Sequence, residues 1–215
     1  MMRQGAIILC GGKSTRMGSA KALLPFGPEL MLERVVRLVS EVVDPENIAV
    51  VAAAGQSLPE LSREVLLAHD AHESRGPLEG LAAGLEALVG RVDSVYATSC
   101  DVPLLMPTFV EQMFALLGDH EIAVPRDGKF HHPLAAVYRV SVLAHVKQLL
   151  AADRLRPFFL FQQLDTLEVP VDQLRAVDPD LTTLENLNHP EDYLDALNRL
   201  GFQPTDEILQ TFNKL

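Results

Sequence analysis

Short apolar runs rich in β-branched residues alternate along this chain with stretches of helical periodicity. Ala6–Cys10, Ile48–Ala53, Val65–Ala68, Ser94–Ser99 and Ile122–Pro125 read as strands, and about 31–43, 77–90, 107–118, 141–152 and 190–200 as helices. Strand–helix alternation predicts an α/β fold: a single Rossmann-like, three-layer α/β/α domain with a mostly parallel, mixed sheet covered on both faces. The stretch 126–140 has a charged turn, Arg126-Asp127-Gly128-Lys129, then His131-His132-Pro133 and an apolar run to Tyr138. It reads as a strand or hairpin and supplies at least one antiparallel member. We expect the domain to span 1–200, and the tail 201–215, with Phe202, Ile208, Leu209 and Phe212, to form a short packing helix.

With 215 residues, 48% of them hydrophobic, the chain can bury one sizeable core. No apolar run approaches the roughly 18 residues of a membrane span, and the start, Met-Met-Arg-Gln-Gly, lacks a signal-peptide core. Two cysteines, Cys10 and Cys100, fit a reducing compartment and core filling, so a cytoplasmic protein is expected. A net charge of −11 argues against nucleic-acid and membrane-surface partners. It leaves room for a small anion held in a local positive pocket.

Such a pocket is legible near the N-terminus. Residues 1–28 contain Arg3, Lys13, Arg16 and Lys21 and no Asp or Glu, and Gly11–Lys21 reads GGKSTRMGSAK directly after the first strand. A cationic, glycine-rich loop leaving a buried strand suits phosphates: backbone approaches closely, N–H groups point inward and fixed charges offset the anion. The P-loop signature fails on spacing, because position 7 is Ile where it needs glycine. The dinucleotide fingerprint fails because Gly11 and Gly12 are adjacent and the next glycine is Gly18. The loop can instead wrap a nucleoside triphosphate, with Lys21 over its α-phosphate. Asp101 follows another predicted strand, so loop and carboxylate share the edge where open α/β sheets bind ligands. Asp101 either caps a turn or holds a hard divalent cation, Mg²⁺, beside phosphate oxygens.

The pattern Leu9-x-Gly-Gly-x-Ser-x-Arg-Met-Gly-x-x-Lys21 resembles the N-terminal signature of the MobA-type nucleotidyltransferases, the molybdenum-cofactor guanylyltransferases. Three further segments match in order: Arg75-Gly76-Pro77-Leu78-Glu79-Gly80, Ser99-Cys100-Asp101-Val102-Pro103 and Asn186-Leu187-Asn188-His189-Pro190-Glu191-Asp192. The resemblance implies a nucleotide site made by Leu9, Gly11, Gly12, Lys21, Asp70 and Asp101, with Arg16, Lys21 and Asp101 catalytic and Asp101 the Mg²⁺ ligand. It further implies an acceptor region at Gly76, Pro77, Gly80, Asn186 and Asn188. The donor would be GTP, and the acceptor the terminal phosphate of molybdopterin.

Departures from the family pattern occur at Glu79, where a small residue is expected, and at Ala52-Ala53-Ala54, where asparagine is common. Asn188 also reads as a cap for the helix at 190–200. Arg154 and Arg156 are either solvated charges or a grip on the acceptor phosphate, and His131-His132 is either a strand end or an approach to the acceptor. Two other readings stay open: a cytidylyltransferase or sugar-phosphate nucleotidyltransferase of the same fold, and a non-catalytic nucleotide-binding protein. Transient contact with other molybdenum-cofactor biosynthesis or acceptor proteins is left open by these motifs, as is the choice between monomer and weak oligomer.

Overall fold

A computed structural model describes residues 2–11, 17–70 and 75–214 of the chain. In chain order the elements are β1 (Gln4–Leu9), β2 (Pro25–Phe26), β3 (Glu29–Leu30), α1 (Met31–Ser40), β4 (Ile48–Ala52), β5 (Leu66–His69), α2 (Pro77–Leu88) and β6 (Ser94–Ser99). There follow α3 (Pro107–Leu117), β7 (Ile122–Asp127), β8 (Phe130–His131), β9 (Ala136–Arg139), α4 (Leu143–Ala151) and α5 (Phe158–Phe161). The last are β10 (Thr166–Pro170), α6 (Val171–Leu174), α7 (Pro190–Arg199) and α8 (Asp206–Phe212).

The main sheet runs β10-β7-β9-β6-β1-β4-β5, with β8 paired to β7. Strand β1 lies parallel to both β4 and β6, in registers that set Leu9 beside Val51 and Ser99. Strand β9 runs antiparallel between β6 and β7, so the antiparallel member expected from 126–140 is present. β8 forms a second antiparallel pairing across the Gly128 turn. Strand β10 was not legible: it is an edge strand that ends in Pro170, and Val169 is its one buried residue. The β2–β3 ladder, two residues on each side, escaped for the same lack of period.

Strand β1 shows why the sheet is covered on both faces. Ala6, Ile8 and Cys10 join one apolar cluster with α1 and α3 residues such as Val35, Val39, Phe109 and Met113. Ile7 and Leu9 join another with α2 and α4 residues such as Leu81, Leu85, Val146 and Leu149. All six residues of β6 are buried, as a central strand with two covered faces requires. Helix α2 sits close on the sheet because Gly80 and Gly84 face it. A Cβ on Gly84 would stand 2.5 Å from Ile7 Cγ2, and one on Gly80 would stand 2.9 Å from Leu9 Cδ2. A third cluster gathers Met17, Leu24, Phe26, Leu104, Leu187, Tyr193, Leu197 and Ile208, so α7 and α8 pack beside the β2–β3 ladder. Thr205 caps α8, its hydroxyl accepting the Ile208 N–H.

Candidate active site

Parallel strands β1, β4, β5 and β6 end on the same edge of the sheet, where their chain exits diverge and open a crevice. The crevice is a cavity of about 1210 Å³. Leu9, Gly11, Asp70, Gly76, Pro77, Gly80, Asp101 and Asn186 all line it, eight positions predicted from sequence. Gly12 and Arg16 lie outside the described residues. Arg3 does not join the cradle: at the opposite end of β1 its guanidinium bonds Asp93 and the Gly90 carbonyl.

Lys21, at the start of a short 3-10 turn, reaches the rim of this cavity. Its Nζ donates to Asp101 Oδ2 at 2.7 Å and to Asn188 Oδ1 at 2.8 Å. Asp101 Oδ1 accepts from the Ser99 hydroxyl at 2.5 Å and from Asn186 Nδ2 at 2.9 Å. The Leu187 N–H donates to the Asp101 carbonyl at 2.9 Å, which ties the 186–188 segment to the end of β6. Side-chain exposures of 16% and 14% mean that Lys21 and Asp101 have both given up most of their water. Their attraction is therefore stronger than at a surface, and each charge depends on the other to offset desolvation.

Asn188 is not the cap its spacing suggested. The start of α7 is satisfied by Asp192, whose Oδ2 accepts the N–H groups of Asn188 and His189. With capping done by a carboxylate, the Asn188 amide is turned towards Lys21. A capping box reaching back from the first turn was the signal that could have shown this.

Asp70 forms the cavity wall at the end of β5, its N–H extending the ladder to the Ala52 carbonyl. Its Oδ1 is buried and has no hydrogen-bond partner among the described residues. Burial, and next the nearby Glu79 carboxylate, hold the Asp70 carboxyl above its ordinary pKa. Glu79 is itself buried and faces Arg75, with Nη1 and Oε2 3.5 Å apart. That ion pair gives a physical reason for a large acidic residue where a small one was expected.

Three polar wall residues had no role assigned from the sequence, although Arg75 and Ser99 stand in the matched segments. Gln56 Nε2 donates to the Cys10 carbonyl at 3.0 Å and its Oε1 accepts the Ala53 N–H at 3.1 Å, so one amide joins the loops after β1 and β4. Ser99 orients Asp101 as described. Arg75 donates to the Leu150 carbonyl at 2.8 Å and to Asp153 at 3.1 Å, fixing the approach to α2 against the end of α4. The signal for Gln56 was its position as the first amide beyond the alanine run. Ala53 and Ala54 do line the cavity, without hydrogen-bonding side chains.

The remaining candidates fall elsewhere. Cys10 and Cys100 are buried beneath the site, and a thiol–thiol contact followed by desolvation pushes the Cys10 pKa well up. They behave as small core residues. His131 closes β8 and bonds Glu168 at 2.7 Å. Arg154 stacks on Phe159 at 4.0 Å.

Asp101 accepts from the Lys21 ammonium, the Ser99 hydroxyl and the Asn186 amide, and no group of three or more His, Cys, Asp or Glu able to hold a metal occurs among the described residues. A cation there would meet one carboxylate from the chain and take its other oxygens from a bound phosphate and water. That is how Mg²⁺ is commonly held. No helix among the described residues is long and apolar enough to cross a membrane.

Residues 6–167 match the family model described as a MobA-like NTP transferase domain. A probable molybdenum cofactor guanylyltransferase of Methanosarcina acetivorans is 33% identical over 201 residues, covering 88% of this chain and 88% of that protein. The molybdenum cofactor guanylyltransferase of Rhodobacter capsulatus is 33% identical over 200 residues, covering 93% and 97%. The crystal structure of molybdopterin-guanine dinucleotide biosynthesis protein A from Archaeoglobus fulgidus superimposes with a TM-score of 0.75 at 22% identity, covering 92% and 98%. That likeness establishes the α/β fold expected from the strand–helix alternation. A Mycobacterium tuberculosis protein of 15% identity and TM-score 0.56 was solved as a complex with manganese. Sequence motifs, sheet topology and family match agree: this chain belongs to the MobA-like NTP transferases, a family of nucleotidyltransferases.

Proposed function

We propose that this protein is a cytoplasmic, Mg²⁺-dependent transferase that moves GMP from GTP to the terminal phosphate of molybdopterin. The products are the guanine dinucleotide cofactor and pyrophosphate. The observation that carries the reading is the meeting of Lys21, Asp101, Asn186 and Asn188 at the rim of a nucleotide-sized crevice. The guanylyltransferases of Methanosarcina and Rhodobacter support the choice of donor and acceptor.

An oxygen of the acceptor phosphate attacks the α-phosphorus in line, the bond from that phosphorus to the bridging oxygen breaks, and pyrophosphate leaves. A phosphomonoester has a second pKa near ~6, so the nucleophile is already largely ionised at neutral pH. No activating Ser, Cys or His is needed. Positioning and charge stabilisation supply the rate. Lys21 offsets charge on the triphosphate, releasing Asp101 Oδ2 as it does so, while Ser99 and Asn186 keep the carboxylate aimed. When bound, Mg²⁺ at Asp101 would supply further charge neutralisation on the phosphates. Leu9, Gly11 and Gly80 give the nucleotide a flat apolar approach. Asp70 offers an acceptor to the N–H edge of guanine, which cytosine lacks in the same arrangement.

The test is pyrophosphate release by the purified protein with molybdopterin, Mg²⁺ and either GTP or CTP. Release above background with GTP is expected. Equal or greater release with CTP overturns the guanine assignment, and none with either overturns the reaction.

A further inference from the structure

Beside the main crevice lies a second cavity of about 660 Å³ that shares Arg75, Gly76 and Pro77 with it. It is bounded by the β7–β8 hairpin on one side and by α5 with the preceding segment on the other. Its composition is unusual for this chain. Phe130 is 64% exposed and Phe158 44%, and they are the only aromatic residues among the large exposed hydrophobics of the described residues. Both line this cleft with Phe161 and His131. The His131 ring lies 5.1 Å from Phe161 and 6.0 Å from Phe158, centroid to centroid. Its other side is fixed, because Nε2 bonds Glu168 at 2.7 Å and only 11% of the side chain meets solvent.

The cleft is also cationic. Lys129 Nζ lies 5.5 Å from the Phe130 ring centroid, and Arg156 and Arg75 reach the same walls. The acidic residue at its back, Glu168, already faces Arg126 as well as His131, so its charge is offset. In a protein of net charge −11, exposed rings flanked by Lys129 and Arg156, with Arg75 already paired to Glu79 and Asp153, make a local anion-attracting, π-faced surface. A ring-stacking floor with basic flanks suits a flat heterocycle that carries phosphate, the chemistry by which aromatic and basic residues hold nucleobases and their phosphates elsewhere.

We infer that this cleft is where the acceptor's ring system binds: a pterin-type heterocycle stacks against Phe130, Phe158 and His131, and its phosphate arm crosses Gly76-Pro77 towards Asp101. This rests on the proposed transferase reading and assigns its second substrate to named residues. Phe130, Phe158 and Lys129 were not singled out by the sequence motifs, and they contact no residue of the Lys21–Asp101 group in the hydrogen-bond network. They are specificity residues for the acceptor.

The test uses neopterin monophosphate, a fluorescent pterin phosphomonoester, titrated into the wild-type protein and the Phe130→Ala/Phe158→Ala variant. Both side chains are exposed, so the variant should fold. Wild-type protein should quench the pterin fluorescence, and the variant should bind at least about tenfold more weakly, as expected on losing ring stacking. Its affinity for GTP with Mg²⁺, measured by calorimetry, should be unchanged. Equal pterin affinity in both proteins, or no quenching by the wild type, overturns the inference. Loss of GTP affinity in the variant overturns it too, by giving the cleft to the donor. If pterin binding behaves as expected while no GMP is transferred to molybdopterin, the cleft assignment stands and the transferase reading falls.

Discussion

Lys21 Nζ and Asp101 Oδ2 lie 2.7 Å apart, joining the exit of the glycine-rich loop to the end of β6. The carboxylate is held at both oxygens, by Lys21 on one and by Ser99 and Asn186 on the other. Such a group is poised to exchange one partner without losing its orientation.

Lys21→Ala and Asp101→Ala should each lower turnover by at least about tenfold to a hundredfold, the loss typical of one electrostatic stabiliser. Asp101→Asn should fall similarly, since the amide keeps shape and loses charge. Pyrophosphate release at saturating GTP measures the effect. Near-normal turnover in any of these variants contradicts the assignment.

Gln56→Ala should weaken GTP binding by up to about thirtyfold, because a net hydrogen bond contributes roughly 1 kcal/mol and the two that join the β1 and β4 loops are lost. Calorimetry reads this directly. An unchanged dissociation constant would mean that the two loops keep their spacing without the amide.

Asp70 sets a pH dependence of stability. Its folded pKa lies above the ordinary 3.8, chiefly through burial and then through Glu79. The native state therefore holds this proton to higher pH than the unfolded chain does. Its stabilising contribution is complete below 3.8 and is lost as pH rises through the folded value. Asp70→Asn should melt with the wild type in acid and above it at neutral pH, while binding GTP less tightly. Thermal melts at the two pH values decide; a variant that melts lower at neutral pH removes the argument.

Gly84→Ala should destabilise the fold by about 1–3 kcal/mol, the usual cost of overpacking, since its new methyl would meet Ile7 at 2.5 Å. Adding Ile7→Ala removes the atoms it strikes, so the double variant should lose less than the sum of the two single losses. Urea unfolding provides both numbers. Strict additivity would show that helix α2 shifts freely instead.

The alternation of β-branched runs with helical periods was enough for the central sheet, because β1, β4 and β6 are buried continuously and leave unbroken apolar runs. Strand β10 and the β2–β3 ladder left no such trace, being short or at an edge. At the site, Asp101 and Asp70 each end an apolar run in the sequence, whereas the paired asparagines were singled out by the family resemblance alone. Gln56 was not singled out, and Ser99 stood in its matched segment without a role, since their roles come from strands brought side by side by the sheet. For Asn188 the sequence left capping and a place at the site both open, because its spacing to Pro190 suits a cap, and the Asp192 contacts show that work done by another residue.

Asn186 and Asn188 reach Asp101 and Lys21 from far downstream in the chain, through a segment pinned by Leu187 and by the α7–α8 cluster. During synthesis the other walls of the crevice therefore emerge from the ribosome well before these two amides do. A nascent chain would hold a half-finished pocket, and transfer activity should switch on abruptly once α7 has been made and docked, with no graded rise beforehand.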